Sequence, residues 1–358
     1  MKIIDKYIIK KFLGTFFYAI SLITLIVIVF DISEKIDDFI EGEAPFKAIV
    51  FDYYLNFIPF FVNLFSPLFT FIAVIFFTAK MAANTEIIAI INSGMSFRRM
   101  LFPYFIGATV LAFLSLYLNN FVIPNANKKR FDFEVTYIKV KYRNSDRNIH
   151  RQIEQGTFIY LERFDNLRNI GSKFSLEKME NNELKYKLMS DHIRWDSVSN
   201  KWQITNYFIR QIDSLHETLE TGIRLDTTLN FYPGEFGRRM SSIETMNYIE
   251  LNQFIENEKL KGSEKTVYYL LEKHKRFAYP FATFILTLIG VTFASKKVRG
   301  GIGLHIGLGL LISFAYILFM QVSITFATNA NVSPMLASWI PNILFGMLGI
   351  YLLKIAPK

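Results

Sequence analysis

The chain has 358 residues, of which 51% are hydrophobic and 16% aromatic, with a formal net charge of +9 and no cysteine. With a mean hydropathy of +0.25, this suits neither an ordinary soluble domain nor a bare bundle of membrane helices, but a mixture segregated along the chain. Without cysteines, any part outside the membrane must be held by its own apolar core and not by disulfides.

The start is basic (Lys2, Lys6, Lys10, Lys11), and residues 12–30 then carry no Lys, Arg, Asp or Glu. No small-residue cleavage site follows; FDISEK comes at once, so this run reads as an anchor and not as a signal peptide. Further charge-free runs cover residues 53–79, 101–121, 277–294, 301–326 and 335–353. A hydrocarbon layer of ~30 Å needs roughly 20 helical residues, so each run can cross it. The pattern predicts a six-span α-helical membrane protein. Orientation follows from the short loops. With a cytoplasmic N-terminus, the inner side holds the four lysines, then Lys80, Arg98, Arg99, Lys296, Lys297, Arg299, Lys354 and Lys358. The outer side has only Lys35 and Lys47 among seven carboxylates between Asp31 and Asp52, and no charge in TNANVSP. Twelve basic residues against two obeys the positive-inside rule, so the net charge is mostly topology and not a nucleic-acid footprint.

The second span holds Asn56, Pro59, Asn63 and Pro67. After it comes TEIIAIINSGMSFRRM, residues 85–100. Ile87, Ile88, Ile90 and Ile91 make one apolar stripe, Asn84 or Thr85 can cap the start, and Glu86 sits where the helix dipole favours a carboxylate. Gly94 can end the segment in a left-handed conformation. These features predict a short amphipathic helix over about residues 84–95. Capping alone would account for Glu86. A rigid cytoplasmic helix joined to two spans is also what a permease needs to receive force from a separate ATPase.

Residues 122–262, between the third and fourth spans, face outward in this topology. GTFIYLER (156–163) and KWQITNYFI (201–209) read as strands, with DSVSN (196–200) turning back to HIRW, and with Gly171 and Asn181–Asn182 as further turns. Short strands with frequent turns predict an all-β antiparallel sandwich. Ile243, Met246, Ile249 and Ile255 then approach helical spacing behind a Ser241–Ser242 cap, with Gly262 at the end. Residues 263–358 complete the bundle with spans four to six. Gly303 and Gly307 form a GxxxG, with Gly300, Gly301 and Gly309 beside it, predicting close helix packing in the fifth span. His305 reads as an amphipathic edge residue.

Catalytic patterns are missing. There is no Walker loop, since GSEKT at 262–266 lacks the second glycine and the Gly-Lys pair, and no HExxH, CxxC or GxSxG. His150, His192 and His216 stand in no metal or triad spacing, and Asp191–His192 reads as strand polarity. No acidic residue lies within a charge-free run, as a proton-coupled carrier would need. The energy for any transport therefore comes from elsewhere.

TEIIAIINSGMS resembles the E-(L/I)-x-x-(M/L)-x-x-x-G-x-S coupling helix of the lipopolysaccharide-export permease subunits, the LptF/LptG family. IDKYIIKKF, MNYIELNQFI, LEKHKRFAYPFATFILTLIGVTF, KKVRGGIG and PMLASWIPNILFGMLGIYLL resemble further segments of that family in the same order. The resemblance implies a jellyroll-like β-sandwich outside the inner membrane of a Gram-negative bacterium. It implies a sister or identical permease subunit, periplasmic jellyroll bridge proteins, and lipopolysaccharide as cargo. A cytoplasmic ABC ATPase dimer would hold ATP and Mg, with no cofactor on this chain. By matched position Glu86 should meet a basic residue of the ATPase, with Ile90, Gly94, Ser96 and Arg98 shaping the contact. In one respect the chain departs from the family, whose members carry basic residues at the outer end of the first span. Here that end is DISEKIDDFIEGE, with Lys35 alone. Lys128, Lys129 and Arg130, and Lys275 with Arg276, are alternative lipid-phosphate contacts, or else ordinary membrane-border cations. Two other classes remain open: a polytopic sensor or scaffold whose β domain binds a ligand, and, less supported, a membrane-anchored periplasmic enzyme.

Overall fold

The computed structural model describes residues 2–138, 144–213, 216–236, 240–263, 265–296, 301–330 and 332–356. Lys297, Arg299, Gly300, Lys358, Glu264 and Asn331, all used in the sequence reading, lie outside the described residues. The chain divides into two compact units. One comprises Met1–Lys139, Glu244–Tyr248 and Val267–Lys358, and the other Val140–Ile243 with Ile249–Thr266.

The first unit holds six helices long and apolar enough to cross a membrane: Ile3–Glu41, Phe46–Ala83, Phe97–Ile138, Thr266–Ala294, Gly301–Asn329 and Pro334–Ile355. Each is built around one charge-free run, because in hydrocarbon the backbone must satisfy its own polar groups. Several outrun the apolar stretch. The first helix continues through the acidic segment to Glu41, supported by an i,i+4 pair in which Lys35 Nζ donates to Asp31 Oδ1 at 2.6 Å. It stops at Gly42, whose Cα lies against the backbone carbonyl of Tyr137, where a Cβ has no room. The third helix likewise runs on through Lys128–Arg130 to Ile138, so residues 122–138 extend the span and do not open the β domain. Both the second and third helices carry wide π-type turns, at Ile49–Tyr54 and Leu118–Val122.

Two large cores hold this unit, with two smaller ones beside them. Ile8, Phe12 and Phe16 of the first helix pack with Val74, Phe77 and Met81 of the second and Met100 and Tyr104 of the third. Phe71 and Ile75, from an adjoining face of the second helix, pack with Leu286, Ile289, Tyr316, Met320 and Phe345. Interhelical hydrogen bonds add to the packing, as small polar groups do in lipid. Tyr316 donates its OH to Asn342 Oδ1 at 2.9 Å, and Asn342 Nδ2 donates to the Ala278 carbonyl at 2.8 Å. Close approach in the fifth helix comes from Gly309, where a Cβ would strike Ile75. Gly303 and Gly307 are exposed, with nothing within 4 Å of an added Cβ. Among the described residues neither glycine of the GxxxG is packed closely by a neighbouring helix, because four-residue spacing sets a face without choosing its neighbour. His305 is buried and not at an edge, with Nε2 3.0 Å from the Lys296 carbonyl.

The second unit is all-β as expected, with strands β1 (Arg147–Glu154), β2 (Thr157–Asp165), β3 (Ile170–Glu180), β4 (Glu183–Asp196), β5 (Lys201–Asp213) and β6 (His216–Thr227). Every strand pairs antiparallel with its sequence neighbour in one six-stranded sheet. Among the described residues the sheet is a meander in sequence order, with tight turns such as those between β3 and β4 and between β4 and β5. Asn181 and Asn182 adopt φ of 50° and 64° to make one such turn. Asp196 makes another by accepting Val198 N–H at 3.0 Å and Ser199 Oγ–H at 2.8 Å. Gly171 is not a turn. It pairs with Phe164 and Ile193 inside the sheet, where Leu161 and Ile193 occupy the space of a side chain. Ile159, Leu161, Phe174, Leu188, Trp202 and Ile204 fill the core face, closed by Phe231 and Phe236. Trp202 Nε1 donates to the Phe231 carbonyl at 3.0 Å, so its one polar atom is satisfied. The helix placed behind Ser241–Ser242 instead begins at Tyr248 and runs to Leu260, after a 3-10 turn over Met240–Thr245. Gly262 follows it with φ 64°.

Candidate functional site

The segment between the second and third helices folds as a short helix, Glu86–Asn92, tighter than the expected 84–95. Neither expected residue caps it by side chain. Thr85 adopts φ 61°, uncommon for a β-branched residue, and turns the chain out of the second span within one residue. Its Oγ1 donates to the Asn84 carbonyl at 2.6 Å. Gly94 ends the segment with φ 88°, the left-handed conformation expected of it. Ile87 is buried in the core of the first three helices, with Ile90, Ile91 and Met95 packed beside it. Ile88 does not share this stripe and is 50% exposed. Positions 87, 90 and 91 meet the i, i+3, i+4 rule, whereas 88 lies a quarter-turn off. Ile90 is therefore mainly an inward anchor, while Ile88, Gly94 and Arg98 are presented outward.

Glu86 is held, not free. Its Oε2 accepts from Tyr7 OH at 3.0 Å and its Oε1 from Asn84 Nδ2 at 3.1 Å, leaving the carboxylate half-exposed. Ser96 caps the third span, its Oγ accepting Arg99 N–H at 3.3 Å. Arg99 then turns inward. Its Nη1 and Nη2 donate to Asp5 Oδ1 and Oδ2 at 2.8 and 2.7 Å, and the Asp5 side chain is only 1% exposed. Two contacts of long sequence separation, Tyr7–Glu86 and Asp5–Arg99, thus clamp the start of the first helix to both ends of this segment. Neither Asp5, Tyr7 nor Arg99 stood out in the sequence as a site. The available signal was Asp5, the one carboxylate in an otherwise basic start.

The candidate phosphate contacts fall into two groups. Lys35 is engaged by Asp31 and by the Tyr53 hydroxyl, and sits 4.8 Å from the Tyr53 ring. Arg130 is buried, ion-paired to Glu134 at 3.5 Å and stacked on Phe60 and Phe131. Arg276, 4% exposed, donates Nη1 to the Met246 carbonyl at 2.8 Å and Nε to Glu272 at 3.4 Å. These three are committed inside the fold. Lys128 and Lys129 are exposed, and Lys275 lines a cavity of mixed polar and apolar walls. Spacing within one helix brings 128–130 together, but helical rotation separates the buried Arg130 from its exposed neighbours.

Among the described residues no cluster of three or more His, Cys, Asp or Glu side chains could hold a metal ion. The sheet unit does gather one charged group: Arg151 lies 3.5 Å from Glu235 and 3.6 Å from the buried Glu258, over the Phe236 ring. Lys261 donates to the same Glu235. This network ties β1 to the segments that follow the sheet.

A family model described as lipopolysaccharide export system permease LptF/LptG matches residues 6–355, nearly the whole chain. No curated protein matches it.

Proposed function

From the premise that this chain belongs to the LptF/LptG family of lipopolysaccharide export permeases, we propose that it extracts lipopolysaccharide from the inner membrane with energy from a separate ATPase. As a member it is a multi-pass inner-membrane permease subunit of the Lpt transporter. In this reading both termini and the Glu86 segment lie in the cytoplasm and the β unit in the periplasm, which the loop charges support. The single observation that carries the reading is the short helix Glu86–Asn92, anchored by Ile87 and clamped to the first span, with its carboxylate held half-exposed.

In this reading Glu86 meets a basic group on the ATPase, Ile88 and Arg98 complete the outer face, and Gly94 allows close approach. Ser96 and Ile90 act indirectly, by capping the third span and seating the helix. Force on the segment would pass to the first span through Tyr7 and Asp5 and to the third through Arg99. Lys128 and Lys129 remain the exposed cations for lipid phosphate. A sister or identical permease closes the cargo cavity, and the exposed Gly303–Gly307 face of the fifth helix is open to it. Jellyroll bridge proteins would receive the lipid from the β unit.

The test is reconstitution of the complex in proteoliposomes carrying lipopolysaccharide. ATP-dependent release to a periplasmic acceptor should require this subunit together with the ATPase. Release by this chain alone, or ATP hydrolysis by it, would overturn the proposal.

A further inference from the structure

A cavity of about 170 Å³ opens between the second, third and fourth helices and the turn carrying Glu244. Export as proposed above makes no use of it. Asn127 is fully buried there. Its Nδ2 donates to the Glu244 carbonyl at 3.4 Å, while its Oδ1 has no protein partner. A buried acceptor left unpaired costs free energy, so it marks a place where a donor belongs. Deeper in the wall, Ser115 Oγ donates to Asn63 Oδ1 at 2.7 Å and Asn63 Nδ2 donates to Asn119 Oδ1 at 2.8 Å. The π-type turn Leu118–Val122 carries Asn119 into that position.

Charge in the cavity is of both signs. Glu244 and Glu272 line it together with Lys275. Burial pushes the Glu244 carboxyl above the usual carboxylate range and Glu272 adds to this, against the pull of Arg130, Lys275 and Arg276. Arg276 is engaged by the Met246 carbonyl and Glu272, whereas Lys275 forms no salt bridge among the described residues.

Beside this chamber, sharing Leu64 and Tyr279 with it, lies an apolar trough of about 240 Å³ along the second, fourth and fifth helices. Tyr279 OH donates to the Leu64 carbonyl at 2.7 Å, fixing these two residues on the border that the two spaces share. The chamber thus calls for a positively charged N–H donor and an anion within one small group. The trough calls for hydrocarbon. Water or a free ion meets only part of this demand. A choline head lacks N–H donors for Asn127, and an acidic head without an amine leaves the Glu244 carboxylate unpaired.

We propose that chamber and trough together bind one resident diacyl phospholipid with a phosphoethanolamine head. Its ammonium faces Glu244, Glu272 and Asn127 Oδ1, its phosphate faces Lys275, and one acyl chain lies in the trough. The lipid is distinct from the exported cargo and ties the second, third, fourth and fifth helices to one another.

The full-length protein, exchanged into nanodiscs of matched phosphatidylethanolamine, phosphatidylcholine or phosphatidylglycerol, is extracted gently and its retained lipid counted by native mass spectrometry. Wild type is expected to keep the ethanolamine lipid over the other two by roughly tenfold, the effect of about one charge-assisted hydrogen bond. Glu244→Gln should bring the preference close to parity, whereas Lys275→Gln, whose phosphate partner all three lipids share, should lower retention of all three. Ile317→Trp, which fills the trough from its exposed side, should lower retention of all three lipids and leave their ranking unchanged. Lys201→Gln, in the β unit, should match wild type. Each variant's melting temperature in phosphatidylcholine controls for misfolding; a variant that fails it is replaced by Asn127→Leu. Equal retention of the three lipids by wild type would overturn the proposal, as would a preference that survives Glu244→Gln or a retention that Lys275→Gln leaves unchanged. Soluble glycerophosphoethanolamine competing as well as the intact lipid would assign the chamber to a free headgroup, and retained lipopolysaccharide in its place would assign it to cargo.

Discussion

Glu86→Ala is the most direct test of how work reaches this permease. Within the chain, the truncation removes two hydrogen bonds, from Tyr7 OH and Asn84 Nδ2, both at exposed positions. Such bonds contribute about 0.5–1.5 kcal/mol each, and less when solvated, while the anchor Ile87 is untouched. The variant should therefore fold and insert. If Glu86 meets the ATPase as proposed, the same change breaks a charge pair that the complex buries, at a cost of roughly 2–5 kcal/mol. At 1.4 kcal/mol per decade this is roughly a 30- to 4,000-fold rise in Kd. Tyr7→Phe keeps the carboxylate and loses one bond, so its Kd should move less than about fivefold. The assay is biolayer interferometry between purified permease and ATPase, with circular dichroism as the fold control. Folded Glu86→Ala that binds within threefold of wild type refutes the reasoning. If Tyr7→Phe loses as much as Glu86→Ala, the loss belongs to the clamp on the first helix and not to a contact with the partner.

Three further outcomes are expected. Gly309→Val should lower the detergent melting temperature, since overpacking against Ile75 costs about 1–3 kcal/mol, whereas Gly307→Val should leave it unchanged in the isolated chain; equal shifts would contradict the packing described. Asp5→Asn and Arg99→Gln should each destabilise the protein, and the double variant by clearly less than their sum, because both singles strand a partner of one bidentate pair. Strict additivity in thermal melts would show that the pair is not coupled. Glu244 has its folded-state pKa raised above the unfolded value of 4.5 by burial. The folded chain therefore binds that proton more tightly, and the stability it contributes is present below the unfolded value and lost as pH rises through the folded one. Delipidated Glu244→Gln should accordingly melt higher than wild type near about pH 7, with the advantage vanishing toward about pH 4. A difference independent of pH would point to packing instead.

Much of the site was legible locally. Gly94 reads as a left-handed terminus because few other residues adopt that φ cheaply, and the Asn181–Asn182 pair reads as a turn for the same reason. What escaped notice were groups whose meaning depends on a distant partner. Arg99 looked like one more orienting cation until Asp5 stood opposite it. Asn127 is an unremarkable polar residue beyond a span until Glu244 folds over it.

Six membrane spans and an all-β insertion follow from the sequence alone, because lipid leaves the backbone no alternative to long uncharged helices and strands announce themselves by alternation and turns. Tertiary structure alone decided which faces of those elements meet. The four-residue spacing at Gly303 and Gly307 was visible, yet the contact went to Gly309. Three cations in a row were visible at 128–130, yet one of them was buried against Phe60. Periodicity is set by bonds between near neighbours in the chain, whereas the choice of packing partner is set by the shape and charge of surfaces brought together from far apart in it.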